Sequence, residues 1–217
     1  MRVVITGGPS SEAVDEVRII TNRSTGELAV KLARTFQGAG WLVDLFLGFG
    51  AIHKTPTAKS FHTNEDLLKL LNGIINKSEI HLVLHAAALS DFAVAFVETG
   101  GIPVQMGKIP SNITEVKIGL RSKPKLIQNL RALFPRARIV GWKLEQDGGR
   151  EQVIQSGIEQ IHLNGTDLCI LNGRGFGDGF GICNAGGMIN IALTKDELAG
   201  WLLGWTMTDD FMVGTGF

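Results

Sequence analysis

The sequence contains no tyrosine, only two cysteines and no surplus of either charge, with Lys plus Arg and Asp plus Glu at 21 each. Without a tyrosine the chain cannot run the short-chain dehydrogenase reaction, which needs one as its catalytic acid. Cys169 and Cys183 are too few and too far apart for a disulfide framework or a cysteine zinc site, and a reducing cytoplasm is the expected setting. Balanced charge offers no broad basic field for nucleic acid. The longest strongly apolar stretch, Ile80 to Leu89, falls far short of the ~20 residues of a membrane span and carries His81 and His85. The N-terminus reads as a strand rather than as the apolar core of a secretory signal. No membrane partner is therefore expected.

What is abundant is glycine, 28 of 217 residues, roughly twice the average share of about 7%. Such usage fits loops that approach a ligand closely. The first forty residues organise the rest. Arg2 to Thr6 is a short apolar run closed by Gly7-Gly8-Pro9, a buried first strand and its turn. Residues 27–37 place Leu28, Ala29, Leu32, Ala33 and Phe36 on one helical face, and Gly38-Ala-Gly40 stops that helix. Strand, glycine turn and helix form the front half of a βαβ unit, whose helix N-terminus attracts anions. The connecting stretch of residues 7–25 is longer than a dinucleotide turn requires, and it carries Asp15, Arg18, Asn22, Arg23 and Ser24.

Further along, the pattern predicts a strand at Trp41–Gly48, a loop over 49–62, and a helix capped by Thr63 or Asn64. Ile80 to Ala88 reads as a strand buried on both faces. Gly100 to Asn112 reads as a mobile turn-rich stretch, Val116 to Leu120 as a short strand, and Ser122 and Pro124 as the start of a third helix. A strand over Arg138–Leu144, a helix over 149–163 and a strand over Leu168–Leu171 follow. Gly173 to Gly187 should be a flap or turn, before a strand at Met188–Leu193 and a helix at Lys195–Trp205. This alternation predicts an α/β fold: one doubly wound, mostly parallel sheet in a Rossmann-like three-layer architecture. Residues 1–217 would form a single nucleotide-binding domain, with 206–217 as a fraying tail.

Ligands of such sheets bind outside the carboxyl ends of the strands, which gathers the loops after Thr6, Ala88, Trp142 and Asn172. Gly7, Gly8, Asn22, Ser24, Thr25 and Gly26 could cradle a phosphate, although Ser, Thr and Asn before a helix also serve as ordinary caps. Asp91, after the small Ala86 and Ala87, could hold a ribose or base, or be a plain loop acid. Lys108 could swing in to neutralise phosphate, or be a surface lysine. Cys169 reads as core and Cys183 as the more ligand-exposed cysteine. His81 and His85 lack the helical spacing of a zinc pair, and no residue is assigned to a metal. Asp44 is a candidate ribose acid of a dinucleotide fold, but it sits mid-strand and the preceding loop lacks G-x-G-x-x-G.

Taken together, Ile5-Thr-Gly-Gly-Pro-Ser, Asp15-Glu-Val-Arg through Asn22-Arg-Ser-Thr-Gly26, His85-Ala-Ala-Ala-Leu-Ser-Asp91, Gly107-Lys108-Ile and Gly141-Trp-Lys-Leu-Glu145 resemble phosphopantothenoylcysteine synthetase. Asp167-Leu-Cys-Ile-Leu-Asn172 and Gly179-Phe180 extend the likeness to about residue 193. The resemblance implies a cytoplasmic ligase of coenzyme A synthesis that joins 4′-phosphopantothenate to cysteine through an acyl-nucleotide. It implies CTP or ATP as cosubstrate, Mg²⁺ on the phosphates and a homodimer. It also implies Asn22 and Lys108 as catalytic groups and Trp142 where the family has Phe. The flavin domain often fused to such proteins has no counterpart here, so no FMN is expected.

Where the family carries two nucleotide-contacting lysines, this chain has Gln160 and Asn164. Lys123, Lys125, Lys143 and Arg174 are the nearby candidates to restore that charge. A non-catalytic homologue binding a nucleotide or a phosphorylated ligand is the alternative, and an NAD(P)-binding oxidoreductase the weaker one. The residues do not choose between CTP and ATP.

Overall fold

The computed structural model describes residues 1–104, 107–208 and 211 of the chain. The first part holds strands β1 (Arg2–Gly7), β2 (Ser11–Ala13) and β3 (Ile19–Thr21), helix α1 (Glu27–Gly38), and strands β4 (Leu42–Gly48) and β5 (Lys59–Phe61). Next come α2 (Asn64–Asn72), β6 (Leu82–His85), β7 (Phe92–Thr99), β8 (Ile102–Pro103) and β9 (Lys117–Ser122). The last part holds α3 (Leu130–Leu133), β10 (Arg138–Leu144), α4 (Arg150–Asn164), β11 (Leu168–Asn172), β12 (Phe180–Asn184), β13 (Gly187–Ala192) and α5 (Lys195–Trp205).

The main sheet has eight strands in the order β13-β12-β11-β10-β6-β1-β4-β5. The neighbours β11, β10, β6, β1, β4 and β5 pair in parallel, and β12 and β13 add an antiparallel edge. Central β1 is buried on both faces, as a covered parallel strand must be. Val3 and Ile5 join the core under α1 and α5, while Val4 joins the opposite core with Leu67 of α2 and Leu130 of α3. α4 covers the far end through Val153 and Ile161. The three-layer α/β expectation therefore holds.

The chain steps from β1 to β4 on one side and returns to β6 on the other, so the order reverses between β1 and β6. That reversal opens a crevice at the carboxyl ends, where Thr6, His85 and Gly141 lie in register.

The structure departs from the sequence pattern in several places. First, β7, β8 and β9 form a separate antiparallel sheet, so the expected strand near Val116 does not join the main one. Second, the glycine-rich stretch contains β12 rather than only a flap. Gly181 can sit in this strand because the Phe176 ring presses on it, and an added Cβ would lie 2.5 Å from that ring. Third, the expected loop over 49–62 includes the short edge strand β5. The third helix is a 3-10 turn over Leu126–Asn129 running into α3, without a side-chain cap. Of the expected fraying tail, Phe211 is fully buried with its ring against Trp41 and Trp205. Residues 209, 210 and 212–217 lie outside the described residues.

Candidate active site

Two clefts open at the carboxyl edge, and the stretch 19–25 lies between them. The first, about 500 Å³, has mostly apolar walls from Pro9, Ile19, Phe49 and Ile52, with Ser24, Thr25 and His62 among its polar groups. The second, about 490 Å³, is polar and lies at the carboxyl ends of β6 and β10. Its lining includes His85, Ala87, Asp91, Lys125, Trp142, Lys143 and Gln160. Asn22 and Arg23 line both clefts.

Asn22 is held at that junction by its own side chain. Its Nδ2 donates to the carbonyls of Ala88 at 3.1 Å and Leu89 at 2.9 Å. Both amide hydrogens are thereby committed to the loop after β6, which leaves the amide oxygen as the acceptor it can offer a ligand. The two loops are also stitched backbone to backbone. Ala86 N–H donates to Thr6 O at 3.0 Å, Ala88 N–H to Gly8 O at 2.9 Å and Ser10 N–H to Ala88 O at 3.2 Å. Thr21 Oγ1 donates to Ser10 O at 2.8 Å, tying the end of β3 to the same seam.

Gly7, Gly8 and Gly26 act through fit. A Cβ on Gly7 would lie 2.2 Å from the Ala29 Cβ, so this glycine lets α1 lie directly on β1. Gly8 and Gly26 adopt φ of 73° and 76° and back onto Ala51. Gly26 is the N-cap of α1 and supplies no side-chain cap; Thr25 Oγ1 accepts from Glu27 N–H at 3.3 Å. Ser24 and Thr25 thus stand at the open end of α1 and face the apolar cleft.

At the floor of the polar cleft His85 is buried, with Nδ1 2.8 Å from Thr6 Oγ1. Burial pulls its pKa down to about 4, which leaves a neutral ring at physiological pH. Asp91 is exposed, with Lys125 3.6 Å away, and Lys143 lies 3.2 Å from Glu145.

The other candidates sit elsewhere. Lys123 is spoken for by Glu12 at 2.5 Å and Glu65 at 2.9 Å, and does not line the cleft. Arg174 is 80% exposed beside Asp147 and also lies outside the lining. Lys108 is exposed and lines neither cleft. Gln160 does line the polar cleft, donating from Nε2 to Cys169 Sγ at 3.2 Å. Asn164 instead turns back to Gln160 O at 2.8 Å and is buried.

Cys183, expected nearer a ligand than Cys169, is fully buried opposite it in the β11–β12 pair. Burial pushes the two thiols up to about 11 and about 12 respectively. Asp44 accepts from Arg2 Nε at 2.7 Å in mid-strand, away from the carboxyl edge where a ribose acid would act. Among the described residues no group of three or more His, Cys, Asp or Glu is placed to hold a metal. No helix among them is long and apolar enough to cross a membrane.

Sequence reasoning missed Asn64 and Ser10. Asn64 Nδ2 donates to Ser90 O at 2.8 Å, and Ser10 Oγ accepts from Ser90 N–H at 2.8 Å. Both hold the cleft loop, and Asn64 also lines the polar cleft. A polar residue just inside a capped helix start was the available signal for Asn64.

The chain is similar in sequence and fold to known proteins. The family model described as "DNA/pantothenate metabolism flavoprotein C-terminal domain" matches residues 1–197. The coenzyme A biosynthesis bifunctional protein CoaBC of Methanocaldococcus jannaschii is 28% identical over 179 residues, covering 79% of this chain and 40% of that protein. The CoaBC protein of Thermococcus kodakarensis is 27% identical over 172 residues, covering 79% and 41%. The chain thus spans well under half the length of these relatives. Among solved structures, the DNA/pantothenate metabolism flavoprotein from Streptococcus pneumoniae superposes with a TM-score of 0.81 at 24% identity, covering 94% of this chain and 97% of that one. A Cab2 mutant in complex with phosphopantothenate-cysteine gives 0.74 at 17% identity, covering 100% and 89%.

Proposed function

The chain belongs to the DNA/pantothenate metabolism flavoprotein C-terminal domain family, and from that premise we propose that it ligates 4′-phosphopantothenate to cysteine in coenzyme A synthesis. One observation carries the reading: Asn22 stands where an apolar cleft and a polar, lysine-bearing cleft meet. Acyl activation needs two substrates delivered to one point. The apolar cleft suits the pantothenate body, with its phosphate toward Ser24, Thr25 and the α1 N-terminus. The polar cleft suits CTP or ATP, with the base near Ala87 and Trp142 and the phosphates toward Lys125 and Lys143.

In the first step the substrate carboxylate attacks the α-phosphorus, forming the acyl-nucleotide and releasing pyrophosphate. In the second, the cysteine amine displaces the nucleotide from the acyl carbon. In this reading the Asn22 amide oxygen accepts a hydrogen bond at the reacting centre, and Lys108 adds a further cation for the phosphates beside Lys125 and Lys143. Mg²⁺ carried on the triphosphate, rather than held by a protein cluster, would supply charge neutralisation. No flavin step belongs to this reading, and the setting is the cytoplasm.

A homodimer fits the exposed apolar side chains on β7–β9, where Phe92, Phe96, Ile118 and Leu120 are each 40–52% exposed. Light scattering after gel filtration tests it.

A nucleotide-binding homologue without turnover is the second reading, favoured by the neutral Gln160 in the cleft lining. Incubation with phosphopantothenate, cysteine, Mg²⁺ and either nucleotide separates the two. The ligase releases pyrophosphate; binding of nucleotide with no release by a folded protein selects the homologue.

A further inference from the structure

The β2–β3 hairpin does something its length does not require. At its turn, Asp15 Oδ1 accepts from Val17 N–H at 2.8 Å and Arg18 N–H at 2.7 Å. Its Oδ2 accepts from the Arg18 guanidinium and, across 94 residues of sequence, from Ile109 N–H at 3.0 Å. Arg18 Nη1 also donates to Ile109 O at 3.3 Å. The Asp15–Arg18 pair therefore holds both the N–H and the C=O of one residue in a remote loop. The clasp is dry on its acidic side: the Asp15 side chain is 1% exposed and Ile109 3%. The residue just before the gripped one is Lys108, which is exposed.

We propose that Asp15 is the positioning residue of the Lys108 segment, fixing where that lysine can reach by clamping the backbone of Ile109. The consequence for turnover rests on the ligase reading, whereas the clamp itself does not. A carboxylate is required because four donors converge on two oxygens; an amide offers one acceptor and turns an NH₂ group toward N–H donors. Burial acts to raise the Asp15 pKa, but the N–H groups of Ile109, Val17 and Arg18 and the Arg18 guanidinium outweigh it and hold it at about 2. The clamp is therefore charged throughout the physiological range. The hairpin then runs from this clamp through β3 to Asn22, whose amide is bonded to the cleft loop. One short ribbon thereby links the Lys108 segment to the junction of the clefts.

Two measurements on the full-length protein test this. Trypsin cuts after lysine, and the Lys108–Ile109 bond is protected only while Ile109 is gripped. Asp15→Ala should speed cleavage there at least tenfold, read by mass spectrometry of the fragments, with Lys108→Gln removing the site as control. Asp15→Asn should give a smaller increase, and it decides the matter where Asp15→Ala does not fold. In turnover, Asp15→Ala should lower kcat with little change in phosphopantothenate KM, and the Asp15→Ala/Lys108→Gln double variant should be no slower than Lys108→Gln alone. Cleavage at the wild-type rate overturns the clamp. Multiplied losses in the double variant overturn its action through Lys108. If the wild type shows no turnover at all, the ligase reading fails and proteolysis alone judges the clamp.

Discussion

The Thr6 hydroxyl and Nδ1 of His85 lie 2.8 Å apart in neighbouring parallel strands, at the level where the sheet ends and the polar cleft begins. This contact fixes the imidazole at the cleft floor while burial denies it a proton, holding its pKa at about 4. An unfolded chain would titrate it near 6.5. Above that pH both states are neutral and the folded state keeps its full stability. As pH falls toward 4, the unfolded chain takes a proton that the folded one refuses, and stability is lost. The expected loss from this residue is about 2 kcal/mol by pH 5 and about 3 kcal/mol by pH 4. Urea titrations at pH 7.5 and pH 5 should show it, and His85→Gln should flatten that difference. Equal pH sensitivity in wild type and variant would mean that the imidazole protonates within the fold.

Lys123 joins three elements that are distant in sequence: β2 through Glu12, α2 through Glu65, and the segment after β9. Its side chain is 9% exposed, and two carboxylates share its one charge. Glu12 and Glu65 more than offset the cost of burying the ammonium, so its pKa is raised. Lys123→Met should destabilise by about 2–3 kcal/mol. That is below the ~3–5 kcal/mol of a fully buried pair, because Glu65 remains largely exposed. Adding Glu12→Gln should recover part of the loss by removing the stranded acid. A Lys123→Met melting temperature equal to wild type would show that the pair contributes nothing.

Gly7 and Ala29 mark where α1 touches β1 with no room for another carbon. Gly7→Ala alone should cost about 1–3 kcal/mol or shift the helix, since its Cβ would lie 2.2 Å from that of Ala29. Ala29→Gly opens the space but loses helix propensity, about 1 kcal/mol. The double variant should therefore be more stable than Gly7→Ala alone, as a double-mutant cycle on melting curves would reveal. Strict additivity would place the cost of Gly7→Ala somewhere other than this contact.

The parallel core was legible because its signals are local and strong. Arg2–Thr6, Arg138–Leu144 and Lys195–Trp205 declare themselves by apolar runs or helical period, and each lies within a residue of the observed element. The extra sheet was not legible. Phe92–Thr99 follows an apolar strand with only a short polar break, and its partner Lys117–Ser122 is remote in sequence. β12 was hidden because glycine argues against a strand unless the ring above it is known. At the site, the residue types near the carboxyl edge could be read from the order of strands. Which lysines face the cleft could not. Lys123 and Lys125 are two residues apart, yet one is sealed between carboxylates and the other lines the pocket.

That difference makes the last prediction selective. Lys125 and Lys143 line the polar cleft, and each rests against an exposed or half-exposed carboxylate, at 3.6 Å and 3.2 Å. Pairs of this kind hold their partners weakly, so a phosphate can take over the cation at little cost. A charge-assisted contact is worth ~1.5–3 kcal/mol, or roughly tenfold to a hundredfold in an equilibrium constant. Lys125→Gln and Lys143→Gln should each raise the nucleotide KM about tenfold in the pyrophosphate-release assay. The KM for phosphopantothenate should stay near its wild-type value, because the proposed reading seats that substrate in the other cleft. Arg174→Gln is the matched control: it removes one positive charge at a similar sequence distance from the strand ends but outside the cleft lining. Equal nucleotide KM values for Lys125→Gln and Arg174→Gln would remove Lys125 from the phosphate site and leave the cleft short of positive charge. A selective rise would show that this chain neutralises its nucleotide from the β10 and α3 side, where Gln160 on α4 cannot.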